Sequence, residues 1–73
     1  MKKVGNGVRD LTVRERKILQ RIWSGLTNKE IGAINGISPR TVEYHRRNML
    51  RKWRVNNTAA LLRLGVARGL LTV

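Results

Sequence analysis

Apolar residues recur along this chain at intervals of three and four, with polar and basic residues between them, which is the spacing of amphipathic helices. The first such run is Ile18, Leu19, Ile22, Trp23 and Leu26, interrupted by Gln20 and Arg21 and preceded by Arg14, Arg16 and Lys17. Thr12-Val13-Arg14-Glu15 opens it with a form in which the Thr and Glu side chains satisfy each other's free helix-start amides, so a helix is predicted from there. Gly25 stops it, and Thr27-Asn28-Lys29-Glu30 repeats the same opening at once. The second helix is short, because Ile31 and Ile34 are followed by Asn35-Gly36, where Gly36 can take the positive φ of a sharp turn. Ser38-Pro39 restarts the chain: Ser caps, and Pro, lacking an N–H, fits the first helical position. A third helix is predicted over about 39–54, and a fourth, capped by Asn57 or Thr58, over about 58–68 before Gly69. No segment alternates as a strand would. The reading is a compact all-α four-helix domain over residues 11–73, preceded by a flexible basic tail over residues 1–10.

With 73 residues there is room for one domain and a single thin core. The absence of Cys excludes a disulfide framework and a thiolate zinc site, leaving helix packing as the source of stability. Charge changes the picture most: 16 Lys and Arg stand against 4 Asp and Glu, a formal net charge of +12. Such a field attracts polyanions, either nucleic acid or an anionic membrane surface. The longest apolar run, Ala59-Ala60-Leu61-Leu62, is far too short to span a bilayer. Lys2-Lys3 is followed by Val4-Gly5-Asn6-Gly7 where a signal peptide would need an apolar stretch, so a cytoplasmic location is expected.

Two short helices joined by a tight Gly turn, the later one rich in basic residues, form the pattern of a helix-turn-helix DNA-binding unit. Placed at about 100° per residue, Val42, Met49 and Trp53 of the third helix align on one side and Arg40, Tyr44, Arg47 and Arg51 on the other. Charges opposite an apolar stripe usually form a solvated face, but such a face ordinarily mixes signs. Here Glu43 is the one acid among Arg40, Arg46, Arg47, Arg51, Lys52 and Arg54, which favours a polyanionic partner. Nothing suggests catalysis. His45 is the single His, Glu15 and Glu30 are committed to capping, and Gly5 and Gly7 follow no strand, so no catalytic pair, metal set, phosphate loop or cofactor site is expected. Trp23 and Trp53, both on apolar stripes, are read as core anchors.

Several motifs now fall in order: Leu11-Thr12-Val13-Arg14-Glu15-Arg16, Gly25-Leu26-Thr27-Asn28-Lys29-Glu30-Ile31, Ile37-Ser38-Pro39-Arg40-Thr41-Val42-Glu43-Tyr44-His45-Arg46 and Lys52-Trp53-Arg54-Val55. In this the chain, from Leu11 to about Leu71, resembles the LuxR-type (NarL/FixJ, GerE-like) helix-turn-helix DNA-binding domains of bacterial transcription regulators. Three residues depart from the usual pattern: Gly32 where Ala is usual, Asn35 where Leu is usual, and Trp53 where Leu or Met is common. Ile34 is expected to supply the apolar contact that Asn35 gives up.

The resemblance implies that the third helix enters the major groove, with control by phosphorylation or a small molecule belonging to an N-terminal domain. It carries base contacts onto Glu43, Tyr44 and Arg47, with Arg40 near enough to join them. Arg can bond guanine, Glu can accept from cytosine, and a Tyr ring can touch a thymine methyl; for Glu43, an i,i+4 pair with Arg47 is an equal alternative. Thr27, Asn28 and Lys29 match a helix start suited to phosphate, and Ser38, Thr41, Arg46 and Arg51 are further phosphate candidates, capping being the alternative for Ser38 and Thr41. The fourth helix is apolar over more of its circumference than one core can cover. The family pairs this helix about a two-fold axis, which implies a homodimer on double-stranded DNA through Ala59, Leu62, Gly65 and Val66, with Ala60 also small enough for close approach. RNA polymerase is a further partner that such a regulator implies. The rivals are a sigma-factor-like promoter-binding domain, which lacks the linked motifs, and a cationic amphipathic module lying on membranes, which would not need capped helices and two core Trp.

Overall fold

The computed structural model describes residues 11–72. Among them are four helices and no strand: α1 (Val13–Trp23), α2 (Asn28–Asn35), α3 (Pro39–Trp53) and α4 (Thr58–Ala67). The basic tail expected over residues 1–10 lies outside the described residues. Each helix begins where a side-chain oxygen takes a free amide. The hydroxyls of Thr12, Thr27 and Ser38 and the amide oxygen of Asn57 accept from the backbone N–H three residues on. Before α1 and α2 the Glu of the box returns the bond: Thr12 N–H donates to Glu15 Oε1 and Thr27 N–H to Glu30 Oε1, both at 2.8 Å.

The ends of α2 and α3 are both left-handed. Gly36 at φ 70° closes α2, as its residue type predicts, with Ile37 N–H donating to Gly32 O at 2.9 Å. At the end of α3 the same turn is made by Arg54, at φ 57° and ψ 44°, so that helix stops one residue before the expected boundary. A side chain in that conformation costs about 1–2 kcal/mol relative to glycine.

The core gathers Ile18, Leu19 and Ile22 of α1, Ile31 of α2, Val42, Met49 and Trp53 of α3, and Leu61 of α4, closed at its two ends by Leu11 and Leu71. Gly32 accounts for one departure from the family pattern. A Cβ built there would stand 2.5 Å from the backbone oxygen of Ile37, so the turn into α3 lies closer to α2 than an alanine would allow. Three expectations are corrected. Ile34 is 53% exposed and does not replace the missing apolar side chain; Asn35 instead folds back, its Nδ2 donating to Ile31 O at 3.1 Å, and Ile37 packs against the core. Trp53 is buried as expected, but Trp23, at the last position of α1, is 39% exposed and donates its indole N–H to Thr72 O at 2.8 Å. Gly65 faces inward: a Cβ there would meet Leu71 at 2.7 Å, so its smallness serves Leu71 rather than a neighbouring helix.

One anchor was not legible in the residue pattern. Lys52, near the end of α3, donates to Glu15 Oε1 at 2.7 Å, so a buried carboxylate at the start of α1 also holds the rear of α3. The guanidinium of Arg68 caps the other side, 4.7 Å above the Trp53 ring.

Candidate nucleic-acid interface

Because Val42, Met49 and Trp53 are drawn into the core, the opposite side of α3 is held in solvent. Arg40, Glu43, Tyr44 and Arg47 line one open depression of about 460 Å³ there, and Arg51 is exposed one turn further on. Arg47 and Glu43 pair at 3.8 Å with both side chains well exposed, a weak contact that leaves each free to exchange partners. Tyr44 is 59% exposed, its ring edge-on to His45 at 5.6 Å between centroids. The face thus combines three arginines, one carboxylate acceptor and one phenol, a donor and acceptor set suited to reading base edges.

The expected phosphate candidates divide. Thr27 caps α2, with Glu30 N–H donating to its Oγ1 at 3.1 Å, and the exposed Lys29 sits in the first turn, where the positive end of the helix dipole favours an anion. Ser38 caps α3, and its Oγ lies 3.0 Å from the half-buried Thr41 Oγ1. Asn28 and Arg46 are taken up with each other. One terminal nitrogen of Arg46 donates to Asn28 Oδ1 at 2.8 Å and the other to Thr58 Oγ1 at 2.6 Å, all partly buried. These two side chains, both expected as phosphate candidates, tie α2, α3 and α4 together.

A second surface feature lies away from α3. Ala59, Leu62, Arg63, Val66 and Ala67 of α4 and the Trp23 ring line an apolar groove of about 570 Å³. Ala59 is exposed and Leu62 and Val66 are half-buried, so three of the four residues expected at a dimer contact lie on this side and Gly65 does not. Trp23 was not among them. No described helix is long and apolar enough to cross a membrane.

A short α2, a glycine turn and an α3 whose outward side is basic define a helix-turn-helix DNA-binding domain. Residues 9–64 match the family described as bacterial regulatory proteins, luxR family, and the chain belongs to that family as the DNA-binding domain of a bacterial transcription regulator. It is 39% identical over 64 residues to the transcriptional regulatory protein FixJ of Bradyrhizobium diazoefficiens, covering 88% of this chain and 31% of that one. It is 40% identical over 70 residues to the transcriptional regulatory protein MctR of Rhizobium johnstonii, covering 96% and 33%. It is 42% identical over 62 residues to the transcriptional regulatory protein UhpA of Escherichia coli, covering 84% and 32%. The chain therefore spans about a third of the length of these relatives.

Proposed function

We propose that this domain recognises a specific duplex DNA sequence with α3 in the major groove, as a homodimer formed through the outer side of α4. The observation that carries the reading is the face of α3 that its own apolar seam holds out in solvent, with Arg40, Glu43, Tyr44 and Arg47 around one depression. Arg47 and Arg40 donate to guanine, Glu43 accepts from cytosine, and Tyr44 lies against a thymine methyl. Lys29, Arg51 and the amide end of α2 bind phosphate, with Thr27, Ser38 and Thr41 near the backbone in their capping roles. Ala59, Leu62 and Val66 form the contact between copies. As a transcription regulator the protein works in the cytoplasm, at the nucleoid, where RNA polymerase is a further partner.

The test begins with selection of bound duplexes from a random pool. On the selected site, Arg47→Ala is expected to cost about 1–3 kcal/mol and relax preference at one or two base pairs. Lys29→Ala is expected to weaken all sequences nearly alike and to lower the log–log salt slope by about 0.9. The reverse outcome would show the roles to be misassigned. An inverted repeat with half-site centres about one helical turn apart is expected, and sedimentation showing one protein per duplex at saturation on a site without dyad symmetry would rule out the dimer.

A further inference from the structure

We propose that Arg46 is a positioning residue for DNA binding: it sets the start of α2 against α3 and α4, and does not itself hold a phosphate. The proposal rests on the DNA-binding reading above. Arg46 follows Val42 by four residues and precedes Met49 by three, which puts its stem on the inward side of α3, and it is half-buried there. Its head then reaches two oxygens on different helices. One belongs to Asn28, the first residue of α2, and the other to Thr58, the first residue of α4, at 2.8 and 2.6 Å.

Neither acceptor is occupied in capping its own helix. Thr27 caps α2, and Asn57 caps α4 by accepting from Ala60 N–H at 2.8 Å, so the Asn28 and Thr58 side chains are left for Arg46. A guanidinium is a rigid planar fork, and donating from its two terminal nitrogens to two helices fixes the separation of those helices. Both bonds are charge-assisted and partly buried, which strengthens them. What they fix is functional: Asn28 lies between Thr27 and Lys29, at the end of α2 assigned to phosphate. Through Thr58 the same fork joins that end to α4, the helix assigned to pairing.

The test uses the 73-residue chain with Thr58→Val, which removes one acceptor and no charge, and Arg46→Lys, which keeps the charge but loses the fork. Each is expected to weaken binding to the selected duplex by about three- to tenfold with an unchanged salt slope. The double variant should bind no more weakly than the weaker single, since both cut one linkage. In the free domain, Thr58→Val is expected to shift the amide resonances of Asn28 and Lys29. If Thr58→Val binds within about twofold of the parent, even with a lower melting temperature, Arg46 does not position the interface and the proposal fails. It fails equally if Arg46→Met lowers the slope by about 0.9 while Thr58→Val binds normally, because Arg46 is then itself a phosphate ligand. A parent chain that selects no duplex would sink the DNA-binding reading and the proposal with it; a parent that selects one, with Thr58→Val indistinguishable from it, sinks the proposal alone.

Discussion

The boxes that open α1 and α2 use the same residue types and hydrogen bonds of 2.8 to 3.1 Å, yet they sit in opposite surroundings. Glu15 is buried, and its Oε1 receives both the Thr12 amide and the Lys52 ammonium, so that box joins α1 to the far end of α3. Glu30 is exposed and receives a local bond from Thr27, at the end of α2 that faces the proposed phosphate path. Local chemistry starts both helices; tertiary placement makes one a brace and leaves the other in solvent, on the proposed binding surface.

This contrast can be broken one side chain at a time. Glu15→Ala should have the largest effect, removing both a cap and the buried carboxylate that Lys52 bonds, at a cost of about 2–3 kcal/mol. In a domain of this size that is a fall of about 10–20 °C in melting temperature, readable by circular dichroism. Lys52→Met comes next, at about 1–2 kcal/mol, because Glu15 keeps its amide bond while losing a charge-assisted partner that is itself partly in solvent. Glu30→Ala should cost about 0.5–1 kcal/mol, the worth of a solvent-exposed cap. Glu30→Gln, which preserves the box, should change stability by less than about 0.5 kcal/mol. By removing an anion beside the phosphate path, it should also tighten DNA binding by about two- to threefold. Equal losses for Glu15→Ala and Glu30→Ala in urea melts would show that the burial difference carries no energy.

Helix starts were legible because caps are local: Thr12, Thr27 and Ser38 announce themselves within four residues, and the choice between Asn57 and Thr58 falls to Asn57. The outward face of α3 was legible for a related reason, since helical spacing fixes which residues oppose Val42, Met49 and Trp53. The same spacing held an unused signal. Arg46 falls among those three on the inward side, and reading it by charge alone hid its reach to Asn28 and Thr58. Distances between helices were not legible at all. Nothing near Glu15 or Gly65 in sequence announces Lys52, 37 positions away, or Leu71 folded back across α4. Trp23 misled because it lies at the last turn of α1, where an apolar stripe runs past the edge of the core.

The missing side chain at Gly32 also bears on how a duplex is met. With the Ile37 carbonyl oxygen only 2.5 Å from where a Cβ would be, the turn is pressed against α2. A unit packed this closely is expected to dock as one rigid body, with little ordering entropy lost when it meets a duplex. Differences in affinity among duplexes with the same contacted bases should then follow how easily each bends or narrows its grooves, with most of the adjustment made by the DNA.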